Sequence, residues 1–267
     1  MREKKKFRVK EYCLNLDKVP EGKKIRLALI ADLHGVDYKD RYARLLGTLR
    51  EKQPDAVLLA GDMICRGRLE AALKAETFLC RLAEEFPVFY GMGNHETSER
   101  EKQMPWFLDY ENHLIRSGIV CLHNEASVFC VKELPLQIYG LEIPHRFYKK
   151  PFPPCFRMND LTARLGSPDP DKINILIAHH PLFADTYLSW EADLTVCGHY
   201  HGGVWRFSEH AGAISPLLHP FPRYCCGDYR RGNQYLVVSP GLGEHTMPLR
   251  VHNPRELIFI NLVPKEG

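Results

Sequence analysis

Three things are missing from this 267-residue sequence, and each absence narrows its class. No apolar run approaches the roughly 18 to 20 residues that a membrane-spanning helix requires. No CxxC pair occurs among its nine cysteines, an odd number scattered along the chain, so neither a structural zinc site nor a disulfide framework is indicated. Reduced, mostly buried thiols are expected instead. A formal charge of +3 is too small to point to nucleic acid or an anionic membrane as an obligatory partner. What remains is an ordinary globular composition, since 45% hydrophobic residues exclude disorder as the main state. The basic residues of 1–13 are not followed by the apolar stretch of a secretory signal, so a cytoplasmic location is expected. That segment reads as a solvated end, with transient membrane-surface contact as the lesser alternative. The chain reads as one domain, 1–267.

Short runs rich in Val, Ile and Leu alternate with amphipathic stretches, the pattern of a layered α/β domain. Strands are expected at 25–31, 56–60, 87–91, 119–122, 126–131, 136–141, 173–178, 194–197, 235–238 and 257–263. Helices are expected at about 38–52, 69–85 and 105–117. The three strand candidates between 119 and 141 read as one run of β structure. Residues 144–170, with six prolines, read as loop around one short helix, and 202–234 as irregular.

Five of these strands end alike. They run into Asp32-Leu33-His34, Gly61-Asp62, Gly93-Asn94-His95-Glu96, His179-His180-Pro181 and Gly198-His199-Tyr200-His201. Each delivers Asp, Asn or His just past its carboxyl end, where open α/β sheets bind ligands, so one pocket is expected to receive all five. Asp-x-His and Gly-Asp mean little alone, whereas Gly-Asn-His and Gly-His-x-His each have a chance expectation below about 0.05 in this composition. Two carboxylates, one amide oxygen and four imidazoles form a mixed ligand set too large for one tetrahedral zinc. On an extended strand end, alternation would place both side chains of Asp-x-His, and of His-x-His, on one side. Seven such ligands, one of them bridging, suit two metals about 3.5–4 Å apart.

The ordered motifs resemble those of the calcineurin-like metallophosphoesterase superfamily. The tail, with Gly202-Gly203, the stretch Arg231 to Gly243 and Met247-Pro248-Leu249-Arg250, further resembles its YkuE-type branch. The resemblance implies a four-layer α/β/β/α sandwich, with two mixed sheets flanked by helices. It implies hydrolysis of a phosphodiester, pyrophosphate or phosphomonoester, by in-line attack of a metal-activated hydroxide at a two-metal site. Asp32, His34 and His201 would hold the first divalent ion, Asn94, His179 and His199 the second, and Asp62 would bridge them. Manganese, iron and zinc all suit such ligands. His95 matches the family's catalytic histidine, which faces the phosphate. Arg66 and Asn94 are the candidate substrate contacts, Arg66 because a guanidinium matches phosphate bidentately, with a surface ion pair as its alternative. One position departs from the pattern. Cys65 stands where relatives carry an Asp that pairs with the catalytic histidine, so His95 is expected to be a poorer proton donor.

The remaining polar positions have plainer readings. His180 is expected to point away from the ligands and pack. Glu96 reads as a helix-entry residue, with orientation of His95 as the alternative. Arg223, Arg230 and Arg231, with Trp205, Phe207, Leu217, Leu218 and Phe221, read as a solvated loop, alternatively as an amphipathic rim for a lipid-like or nucleotide-sugar substrate. His113, His123, His145, His210, His219, His245 and His252 fit no ligand spacing, and Cys225-Cys226 reads as packed. A small-molecule or lipid-like phosphate ester is the expected substrate. Competing functions are a serine/threonine protein phosphatase, hinted at by Cys65-Arg66-Gly67 and Gly93 to Glu96, and a binding scaffold weakened in catalysis.

Overall fold

The computed structural model describes residues 6–36, 38, 40, 42–244 and 249–265. His245, Met247 and Pro248 lie outside the described residues, as do two positions, 39 and 41, of the expected first helix. Among the described residues, twelve strands form two six-stranded mixed sheets. The first has the order β1 (Phe7–Leu16), β12 (Arg255–Pro264), β2 (Ile25–Ile30), β3 (Ala56–Ala60), β4 (Val88–Gly91), β5 (Val120–Leu122). The second runs β10 (Gly227–Arg231), β11 (Gln234–Val238), β9 (Leu194–Cys197), β8 (Ile173–Ala178), β7 (Leu134–Leu141), β6 (Glu125–Val131).

The layering follows from side-chain alternation along strands that are apolar on both faces. Leu27 and Leu29 of β2, with Leu58 of β3, point between the sheets and meet Ile175, Ile177, Val196 and Val237 of the second sheet. Ala28, Ile30, Val57 and Leu59 point the other way, onto helices α1 (Ala43–Lys52), α2 (Leu69–Ala83) and α4 (Pro105–Arg116) through Leu45, Leu49, Phe78 and Phe107. The outer face of the second sheet uses Leu176, Leu236 and Val238 to cover Leu161 of α5 (Met158–Leu165) and Tyr187 of α6 (Ala184–Ser189). Helices thus flank two stacked sheets, each fully buried Leu or Ile contributing about 1.5–3 kcal/mol. The sheets touch closely at Gly91, where a Cβ would lie 2.5 Å from Ile177 Cγ2.

Four expectations need correction. Residues 7–16 are a strand rather than a solvated end: Tyr12, Leu14 and Leu16 are buried, and the strand pairs in parallel with β12 in the register Phe7 to Arg255. The first helix begins at Ala43, because Tyr42 adopts a left-handed φ of 65°. The β run after residue 119 divides between the sheets, β5 pairing with β4 and β6 with β7. Part of 202–234 is ordered as β10, held antiparallel to β11. No helix among the described residues is long and apolar enough to cross a membrane.

Candidate metal centre

β2, β3 and β4 are parallel neighbours in one sheet and β8 and β9 in the other, so their carboxyl ends gather at one edge of the sandwich. The chain does not leave these strands extended. Asp32 (φ 50°), His34 (51°), Asp62 (57°), His199 (68°) and His201 (48°) all occupy the left-handed region. The expectation that strand alternation aligns each i, i+2 pair is therefore wrong; tight turns aim these side chains. Such backbone is sparsely populated by non-glycine residues and persists where its surroundings hold it. Here the turns brace one another, with the Asp32 amide donating to Gly61 O and the His34 amide to Asp62 O, both at 3.0 Å, and the Gly243 amide to Asp32 O at 2.6 Å. Gly198 is required by close approach, since a Cβ there would lie 2.6 Å from Asp32 Oδ2.

Two groups of donors result. Asp32, His34 and His201 offer atoms within 4.8 Å of one another, as do Asp62, His179 and His199. In the first group His34 Nε2 lies 3.2 Å from His201 Nε2, and His201 Nε2 lies 3.5 Å from Asp32 Oδ1. Asp62 Oδ2 stands between the groups, 3.2 Å from His179 Nε2 and 3.9 Å from His34 Nε2. Second contacts fix the rings. His34 Nδ1 donates to Ile64 O at 3.2 Å and His179 Nδ1 to Ala60 O at 2.7 Å, which leaves Nε2 of each for the centre. Asn94 Oδ1 and His199 Nε2 are buried with no hydrogen-bond partner, a condition that native interiors rarely tolerate, while the buried His179 Nε2 faces Asp62 Oδ2. Asp62, His179 and His199 converge and Asn94 lines the same cleft, and oxygen and nitrogen donors of this kind fit a divalent ion.

Electrostatics agree with that fit. Burial pushes the Asp32 carboxyl above its usual range. Burial also raises Asp62, but His179, His95 and His34 together pull it well below the carboxylate range. Burial drives His34 down to about 3 and His199 well below its ordinary value, so both rings are neutral ligands at pH 7. His179 is drawn up to about 9 by Asp62 against its burial. A cation at the centre would replace the proton on its Nε2.

His95 sits at the mouth, with Nε2 3.8 Å from Asp62 Oδ2. Burial lowers its pKa, but Asp62 and a hydrogen bond with Cys65 outweigh that and raise it to about 9. Opposing this, the Arg66 amide donates to His95 Nδ1 at 2.8 Å, and a charged ring would set N–H against N–H. That direct contact is the stronger constraint, and it keeps the proton on Nε2, facing the cleft. The backbone at residue 66 thereby orients the ring, although Cys65 has replaced the expected carboxylate.

Glu96 is the helix-entry residue expected, and its other contacts run to the loop after β3 and to Tyr90 rather than to the His95 ring. It is fully buried at the start of α3 (Asn94–Glu101), accepting from the Gly93 amide at 3.0 Å, and it also accepts from the amides of Asp62 and Ile64 and from Tyr90 Oη. His180 packs, stacked on Tyr148 at 4.8 Å between ring centres, but it does not point away from the centre as expected, since its ring lies 4.4 Å from that of His199. Arg66 is exposed and its Nη1 lies 3.4 Å from His145 Nε2. Arg223 and Arg231 do not join the cleft, being tied to Asp185 of α6, and Arg230 donates to Gly232 O. Trp205, Phe207, Leu218 and Phe221 are exposed, whereas Leu217 is buried beside the cleft. Cys225 and Cys226 are buried.

The cleft over the centre has a volume of about 1040 Å³. Its floor holds His34, Asp62, Asn94, His95, His199 and His201, and its walls carry Arg66, Arg68, Lys74, Lys149 and Lys150 against Glu70 and Glu244. His145, Tyr148, Lys149 and Lys150 were missed by sequence reasoning. Their one signal was the aromatic, Pro-rich segment at 144–170, which folds back over the second group. Arg250 was noted only as part of the tail; it is half-buried and donates to Pro240 O and Gly243 O, bracing the loop behind Asp32.

The sequence model described as calcineurin-like phosphoesterase matches residues 25–203. A putative metallophosphoesterase of Caenorhabditis elegans is 28% identical over 247 residues, covering 89% of this chain and 48% of that protein. The chain thus spans about half of that relative's length. A phosphodiesterase of Escherichia coli, YaeI, is 26% identical over 225 residues, 80% of this chain and 72% of its own. Among solved structures, a 5′-nucleotidase precursor of Thermus thermophilus aligns with a TM-score of 0.53 at 14% identity, over 90% of this chain and 54% of that one, a likeness of fold alone.

Proposed function

This chain belongs to the calcineurin-like phosphoesterase family, and from that premise we propose that it is a metal-dependent hydrolase of phosphate esters, with 1–267 acting as one domain and a centre for two divalent ions. The observation that carries the reading is the pair of donor groups, linked by Asp62 Oδ2 at 3.9 Å from His34 Nε2, the second of them presenting the buried His199 Nε2 without a partner. Asp32, His34 and His201 would hold one ion, and Asn94, His179 and His199 the other. When bound, such ions lower the pKa of water towards about 7 and offset phosphoryl charge.

The chain's own residues supply the rest. Asp62 holds the two groups together and, with the Arg66 amide, sets the direction of His95. His95 donates its Nε2 proton to the leaving oxygen of an ester lying across the floor. Arg66, Lys149 and Lys150 take the outer phosphoryl oxygens, and a wall with these cations suits a pyrophosphate, which brings more than one charge near the centre. The name of the E. coli relative supports the diester.

The test is metal content per chain together with hydrolysis of bis-(p-nitrophenyl) phosphate, p-nitrophenyl phosphate and a phosphopeptide in manganese. We expect about two ions and preference for the diester. Less than about one ion per chain after reconstitution, with no ester cleaved, would sink the reading. Preference for the phosphopeptide would favour a protein phosphatase instead.

A further inference from the structure

We propose that His34, Cys65 and His95 form a capture site for a thiophilic metal ion, zinc or cadmium, and that filling it switches the hydrolytic centre off. One donor atom from each of the three lies within 4.8 Å of the other two. Tetrahedral zinc, with bonds of about 2.0 Å to nitrogen and about 2.3 Å to sulfur, places such ligands about 3.3–3.6 Å apart. Small side-chain rotations close that gap. Two imidazoles and one thiolate, with a water or substrate oxygen in the fourth position, make a soft donor set, whereas neither neighbouring group contains sulfur. All three residues line the open cleft, so an ion has a path to them.

His34 is shared. Its Nδ1 is engaged by Ile64 O, so Nε2 is the atom it can give, and that atom faces His201 Nε2 at 3.2 Å. One lone pair cannot serve two ions at once. Capture therefore withdraws His34 from the first group and ties down His95. The proton balance is simple: Cys65 gives up its thiol proton to solvent, and the His95 proton moves from Nε2 to Nδ1, breaking the hydrogen bond from the Arg66 amide. No oxidant is involved. Manganese prefers oxygen donors and leaves the site alone. The inhibitory consequence, unlike the capture itself, rests on the phosphoesterase reading above.

Cobalt(II) is the direct probe, added to the full chain in excess manganese and followed by its thiolate-to-cobalt charge-transfer band. One band per chain is expected, displaced by zinc and lost in both C65S and C65A, which retain exposed Cys13, Cys130 and Cys155 as internal controls. A band unchanged in both variants overturns the site. For the rate, each protein is compared with its own zinc-free value, and the zinc concentration for half-inhibition should rise at least about tenfold in C65S. Equal zinc sensitivity overturns the switch. A Cys65-dependent band in a protein that cleaves no ester upholds the capture and counts against the phosphoesterase reading alone.

Discussion

The Glu96 carboxylate accepts the backbone N–H of Asp62 at 2.9 Å. Because it also accepts from Ile64, Gly93 and Tyr90, one buried side chain locks the loop after β3 to the loop after β4. Glu96→Gln would set an amide N–H against a backbone N–H. Stability should fall by about 2–4 kcal/mol in urea unfolding, with turnover reduced as Asp62 and His95 lose register. A loss below about 1 kcal/mol would show that the clamp is slack.

Asp62 and His95 should separate metal binding from proton transfer. Asp62→Ala is expected to lose bound metal and hydrolysis together. His95→Gln should keep its metal while kcat falls about 10²- to 10⁴-fold. If His95→Gln retains wild-type turnover, its assigned role is wrong.

Cys65→Asp restores a carboxylate beside His95 and should stabilise the charged ring. Turnover on esters with poor leaving groups is expected to rise, by about tenfold, with little change on p-nitrophenyl esters. An unchanged rate at full metal content would mean that the Arg66 amide alone sets the behaviour of the ring.

Away from the centre, His123 lies between Glu142, at 2.8 Å from Nδ1, and Glu111, at 2.5 Å from Nε2. Burial opposes its charge, but the two carboxylates raise its pKa to about 9. A raised folded-state value means stabilisation that is fully present below about 6.5 and lost as pH rises through about 9. After allowance for its partial exposure, this is worth about 2 kcal/mol. Urea midpoints at pH 7 and pH 10 should therefore differ less for His123→Gln than for the wild type, and parallel curves would refute the assignment.

Lys149→Ala combined with Lys150→Ala should raise KM about tenfold for a pyrophosphate and less for a monoester, leaving metal content intact. Equal effects on both substrates would show that these lysines do not read the second phosphate.

Much of this arrangement was legible because its chemistry is local. Apolar runs at 25–30, 56–60 and 173–178 are strands whatever they pair with, and the polar residues just beyond them reach the same edge once the strands lie parallel. Residues 7–16 were illegible for the opposite reason. Their partner, β12, is some 250 residues away, and the charges at Arg8, Lys10 and Glu11 mask an apolar alternation that matters only when a sheet stands behind it. The cleft walls were equally hidden, since Lys149 and Lys150 come to line the same cleft as His95 through the path of a loop, which carries no periodic signal.

The sequence by itself therefore determined which carboxylates, amide and imidazoles could compose the proposed centre, and that Cys65 stands where the resemblance implies an acid. Only the tertiary structure decided how they face one another. Left-handed turns at Asp32, His34, Asp62, His199 and His201 are held from outside the local chain, Asp32 by Gly243, His34 by Asp62, Asp62 by Glu96, His199 by Asp32 and His201 by Asn253. The direction of His95 was likewise settled by the backbone amide of Arg66, because an amide's aim depends on how the loop is braced and not on which side chain it bears.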